Sequence, residues 1–141
     1  MPLHAYPAVF MRGGTSRTIM FHRRDLPDRS AWDPIFLAAM GSPDPNGRQL
    51  NGMGGGISSL SKVCVLEQST RDDADIDYTF AQVQIREATV DYRSMCGNMS
   101  AAVGPFAIDE GLLRPNGDQA IVRIFNTNTR KVVRSTFSLL D

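Results

Sequence analysis

Cysteine is almost absent: Cys64 and Cys96 are the only two thiols in 141 residues. That excludes a disulfide framework and makes a reducing, cytoplasmic setting the default. Net charge is missing as well, since fifteen Lys and Arg balance fifteen Asp and Glu. With no basic stripe along the chain, neither a nucleic-acid partner nor a membrane surface is expected. The few clustered charges of "HRRDLPDR" read as a solvated turn. No apolar run approaches the roughly 20 residues of a membrane span, and the N-terminus lacks the basic-then-apolar order of a signal peptide. His4 and His22 stand far apart without an acidic or Cys partner at ligand spacing, so no metal site is expected. "RDDADID" lacks the glycine and closing glutamate of a calcium loop and reads as a polar stretch before a strand. No Ser-His-Asp arrangement, internal repeat, low-complexity tract or linker is legible.

What is there suits one domain with a real core: 42% of the residues are apolar, with 12 Gly and 8 Pro. "LHAYPAVFMRGGTSRTIMFHR" reads as two extended segments joined by a turn at Gly13 and Gly14. "SAWDPIFLAAMG" reads as a short helix, with Trp32, Ile35, Phe36 and Ala39 at helical spacing. Ser30 serves as its N-cap, Gly41 as its stop, and Pro34 falls in the first turn, where a missing N–H costs little. "SPDPNGRQLNGMGGG" is loop, and "SSLSKVCVLEQ", "DIDYTFAQVQI" and "ATVDY" are strand-like. After "CGN" the period becomes helical. Met99, Val103, Phe106 and Ala107 share a face, Pro105 interrupts the run, and it closes near Gly111. "AIVRIFNTNTRKVVRSTFSLL" reads as a hairpin turning at Asn126 to Asn128. Strands without regular helix alternation argue for an α+β fold with a largely antiparallel sheet rather than a doubly wound one.

Three stretches carry chemical potential. In "RSMCGNMS" a lone thiol stands where strand gives way to helix. Unpaired N–H groups and the positive helix end at such a point favour the thiolate and attract an anion. Gly97 lets the backbone approach a ligand, and Asn98 can cap the helix or donate to a carboxylate. The same residues also fit a small core thiol beside an ordinary cap. In "GMGGGISSLSKVCVL", period-two geometry puts Leu60, Lys62, Cys64 and Leu66 on one face. Lys62 is then either solvent-facing or buried, and burial would make it a usable base. Cys64, between Val63 and Val65, reads as a buried structural thiol. The glycines do not make a phosphate loop, because the Lys-Ser/Thr ending and a preceding strand are missing. "MRGGTSRT" offers glycines, hydroxyls and two arginines around a turn, a carboxylate cradle or simply a hairpin with solvated arginines.

Together, "MRGGTSR", "GMGGGISSLSKV" and "MCGNMSAAVGPFAIDEG" resemble the PrpF family of 2-methylaconitate cis-trans isomerases, 4-oxalomesaconate tautomerases and methylitaconate isomerases. The motifs agree in order and spacing over nearly the whole chain. The resemblance implies a half of the diaminopimelate-epimerase-like fold, strands wrapped around a central helix, with the active site between two such halves. It implies cofactor-free proton transfer on a small unsaturated di- or tricarboxylate through an extended enolate. The proton-transfer residues of the family fall on Lys62 and Cys96. Thr15, Ser16, Gly97, Asn98 and Met99 are carried over as substrate contacts. Arg17 and Thr18 stand where the family's first motif usually has Lys and Gly, and "DYRSM" replaces a more usual small-residue and Asn sequence. These departures bear on acid selectivity more than on reaction class.

Family members are much longer, so residues 1–141 are expected to form the N-terminal domain, with the second domain absent and little turnover by this chain alone. Two alternatives follow. One is an amino-acid racemase or epimerase of the same fold, which commonly uses one cysteine per half and is disfavoured by Lys62. The other is a non-catalytic fragment that binds carboxylates or self-associates through uncovered strand edges, as a homo-oligomer.

Overall fold

A computed structural model describes residues 3–140. Seven strands and two α-helices form one mixed sheet with a helix on each face. The strands are β1 (Val9–Gly13), β2 (Ser16–His22), β3 (Lys62–Gln68), β4 (Ile76–Val83), β5 (Val90–Asp91), β6 (Gln119–Asn126) and β7 (Lys131–Ser138), and the helices are α1 (Trp32–Met40) and α2 (Gly97–Asp109). The strand order is β1-β2-β3-β4-β6-β7, with β5 paired to the end of β4. β1–β2, β3–β4, β4–β5 and β6–β7 are antiparallel, as the hairpin reading anticipates. β2–β3 and β4–β6 are parallel. Those two pairs follow from helical crossovers: α1 lies between β2 and β3, and α2 between β4 and β6.

Alternation along each strand divides the core in two. Ile19, Phe21, Val63, Val65, Ala81 and Val83 pack with Trp32, Phe36 and Met40 on the α1 face. Met20, Cys64, Leu66, Ile76, Tyr78 and Phe80 pack with Met99, Val103, Phe106 and Ala107 on the α2 face. The predicted helical stripe of α2 is thus the buried one. α2 touches β1 and β2 at one end of the sheet order and β6 and β7 at the other, so the sheet curls around it. Gly104 permits the close approach of β7, because a Cβ there would lie 2.6 Å from the Phe137 ring.

Several local expectations are corrected. α1 starts after Ala31 rather than Ser30, because a single 3-10 turn over Arg29–Ala31 precedes it, while Gly41 ends it at φ 79° as expected. Pro105 lies inside α2 without ending it. Proline has no N–H to bond the carbonyl of Ala101, and Ala101 is exposed, so the loss falls on the solvent side of the helix. Ser58–Leu60 forms a 3-10 turn instead of the start of β3, which removes Leu60 from the strand face. The last hairpin turns between Asn126 and Lys131, with Arg130 at φ 61°.

Candidate active site

The predicted residues gather where β2, β3 and α2 begin. The β1–β2 hairpin presses its turn against the start of α2. A Cβ on Gly13 would sit 2.2 Å from the carbonyl oxygen of Asn98, and one on Gly14, at φ 54°, would sit 2.7 Å from Asn98 Oδ1. Only glycine allows that contact, so the Gly-Gly pair is as much a docking surface as a turn. Asn98 Nδ2 donates to Thr15 Oγ1 at 3.1 Å and to Ser16 Oγ at 3.4 Å. Asn98 therefore ties the hairpin to the helix and does not cap it. The N-cap is Cys96 itself, and no side chain caps the helix. The first-turn N–H groups of Gly97, Asn98 and Met99 lie outside the helix's own hydrogen bonding. Nothing in the described residues stands within 4 Å of a Cβ built on Gly97, so the approach to that end is open. The Met99 side chain is fully buried against the sheet, leaving only its main chain at the site.

Lys62 enters the same edge from β3. It pairs in register with Thr18, two residues along β2 from Ser16 and on the same face. Of the two readings open to Lys62, burial is the one observed: its exposure is 7%. Nζ donates to Gln82 Oε1 at 2.6 Å and lies 5.1 Å from the centre of the Phe80 ring. Thr18 Oγ1 donates to the Lys62 carbonyl at 3.0 Å and stands 3.4 Å from Cys64 Sγ.

The two cysteines differ sharply. Cys64 is fully buried, and loss of water pushes its thiol up to about 12, against smaller opposing hydrogen bonds from Thr18 and Tyr78. Its sulfur lies 3.4 Å from Thr18 Oγ1 and 3.9 Å from the Tyr78 hydroxyl. Cys96 is half-buried and packs on the edge of the α2 core. Lys62 and Cys96 share a face and an edge of the sheet, but no direct hydrogen bond joins them among the described residues. Five surface hollows of 200–530 Å³ are lined by neither residue.

The arginines of the first motif do not form a cradle. Arg12 Nε donates to the Gly14 carbonyl at 3.1 Å, and Arg17 lies over the Phe10 ring at 5.6 Å. The sequence reading also missed two residues. Gln82 holds Lys62. Asn128, in the last hairpin turn, accepts from Phe80 N at 3.0 Å and donates to the carbonyls of Phe80, Tyr92 and Ser94. It therefore fixes the segment that delivers Cys96. Strand alternation could have put Gln82 on the Lys62 face, whereas nothing local marks Asn128.

A sequence model of the PrpF protein family matches residues 4–140. The chain belongs to the PrpF family. It is 50% identical over 127 residues to a 4-oxalomesaconate tautomerase of Pseudomonas putida, covering 89% of this chain and 35% of that one. It is 44% identical over 142 residues to a 2-methyl-aconitate isomerase of Cupriavidus necator, covering 94% and 36%. The crystal structure of a methylitaconate-delta-isomerase superimposes with a TM-score of 0.90 at 44% identity, over 96% of this chain and 35% of the other. The PrpF chain described here thus spans about a third of the length of these relatives. The α+β fold read from the sequence is the fold observed. No helix of the described residues is long and apolar enough to cross a membrane.

Proposed function

We propose that this PrpF protein moves a proton along the allylic system of a small unsaturated di- or tricarboxylate, of the 2-methylaconitate or 4-oxalomesaconate type, without a cofactor. Lys62 and Cys96 act as the two proton-transfer groups. One takes a proton from carbon next to the conjugated acid, and a proton returns at the other end of the allyl unit. The charge that develops between these steps is an extended enolate carried by the substrate's own carboxylate. The open N–H groups at Gly97, Asn98 and Met99, with the hydroxyls of Thr15 and Ser16, hold that carboxylate. The observation that carries the reading is a buried lysine, free of any carboxylate partner among the described residues, at the same sheet edge as an uncapped helix start bearing a thiol. The second wall of the cleft comes from the part of the protein beyond the region shared here with longer relatives.

Solvent-deuterium incorporation into candidate acids by the full-length protein tests this. Lys62→Ala and Cys96→Ser should each slow exchange by about 10²–10⁴-fold while leaving the fold intact. Exchange at the wild-type rate in both variants would remove these residues from the reaction. A second reading, carboxylate binding without turnover, is favoured for the 141-residue chain alone by the open approach to the helix start at Gly97. It predicts binding of the acid by the isolated chain with no exchange.

A further inference from the structure

Among the described residues Lys62 Nζ has one side-chain hydrogen-bond partner, Gln82, and that partner is itself held at both amide hydrogens. Gln82 stands across from Lys62 in the β3–β4 register. Its amide nitrogen donates to the Ser58 carbonyl at 3.0 Å and the Ser61 carbonyl at 2.9 Å. With both amide hydrogens committed to main chain, Oε1 is left facing Lys62 Nζ. A flipped amide would set its oxygen against two carbonyl oxygens and a donor against the amine, so the network fixes the orientation. The acceptors are anchored in turn. Ser61 Oγ donates to the Val83 carbonyl at 2.8 Å, and the buried Gln49 donates to Ser61 Oγ at 2.8 Å.

The acceptor offered to Lys62 is therefore fixed and uncharged. No carboxylate lies within ion-pair distance of Nζ among the described residues. A carboxylate in that position would hold the amine as ammonium, whereas an amide oxygen accepts a hydrogen bond from either the ammonium or the neutral amine. We infer that Gln82 is a positioning residue for Lys62. It tethers one N–H, leaves the rest of the nitrogen to the substrate, and lets the group gain and lose a proton without moving. This rests on the reading of Lys62 as a proton-transfer group.

The test uses the full-length protein with Gln82→Glu, Gln82→Met and Lys62→Ala. Lys62 and Lys131 are the two lysines of this chain, and Lys131 is exposed in β7. Acetylation by acetic anhydride at pH 8, read by peptide mass spectrometry, gives the reactivity of Lys62 relative to Lys131. Gln82→Glu loses the donors to the Ser58 and Ser61 carbonyls, so its carboxylate turns toward Lys62. It should lower that ratio about tenfold, because a touching carboxylate holds the ammonium, and should shift the acid limb of the exchange rate upward by about one pH unit. Gln82→Met should raise the ratio, because nothing tethers the amine. An unchanged ratio in both variants, or a rise in both together with lower thermal stability, would overturn the inference and mark Gln82 as a brace for the turn. Exchange that survives Lys62→Ala sinks the parent reading instead, while the acetylation ratio still reports on Gln82.

Discussion

The two faces of the sheet are built from the same strands and serve different ends. Under α1, Ile19 and Phe21 of β2, Val63 and Val65 of β3, and Ala81 and Val83 of β4 meet an apolar helix, with Phe36 stacked on Phe21 at 5.8 Å and tilted against Trp32 at 5.6 Å. Under α2 the same strands carry Thr18, Lys62, Cys64, Tyr78 and Gln82 among the apolar side chains. Buried polar groups cost stability unless they are hydrogen-bonded, and each of these has a partner. The α1 face holds the domain together. The α2 face carries polar side chains at one end, where the Lys62 amine and the Cys96 thiol lie.

The sharpest way to break that comparison is Phe36→Ala. Phe36 is fully buried, and its removal should cost about 3–5 kcal/mol in denaturant unfolding. The alkylation rate of native Cys96 should stay at the parent value. A large change in that rate would mean the two faces are not separable.

Asn128→Ala should act at the join between them. It leaves Phe80 N without its acceptor and frees the carbonyls of Tyr92 and Ser94, at a cost of about 2–3 kcal/mol. Here Cys96 should alkylate at an altered rate under native conditions, because the segment leading to it loses its fixed point. Lower stability with unaltered Cys96 reactivity would confine Asn128 to a structural role.

The smallest effect separates the two thiols. Iodoacetamide at pH 8 should label Cys96 and spare Cys64 until the protein is unfolded. Burial raises the Cys64 thiol from an ordinary 9.0 to about 12, so its contribution to stability is fully present below about pH 9 and is lost as pH rises toward 12. Cys64→Ala should flatten the alkaline side of the stability curve accordingly. Labelling of native Cys64 at the rate of Cys96 would contradict the description of a dry α2 core.

The sequence was informative wherever a short-range rule applied. Period-two alternation placed Lys62 and Cys64 on one face, and the 3.6-residue period of Met99, Val103 and Phe106 gave α2 its buried stripe. It misjudged Ser58–Leu60, where a 3-10 turn and a strand share the same polar composition, and Pro105, whose cost depends on whether the orphaned carbonyl meets water. The motif "MRGGTSR" was recognisable, but the work of its glycines was not: they make room for Asn98, more than 80 residues further on.

The amino-acid order alone determined most of the elements, their inward faces and the presence of one amine and one thiol in the recognisable motifs, because these follow from local periodicity and residue identity. Tertiary structure decided that Lys62 is buried without a counter-ion, that Gln82 and not an acid holds it, and that Asn98 and Asn128 fasten the thiol-bearing segment. Those outcomes depend on strand register and crossover, which bring together atoms 20 to 83 residues apart and which no window of sequence specifies.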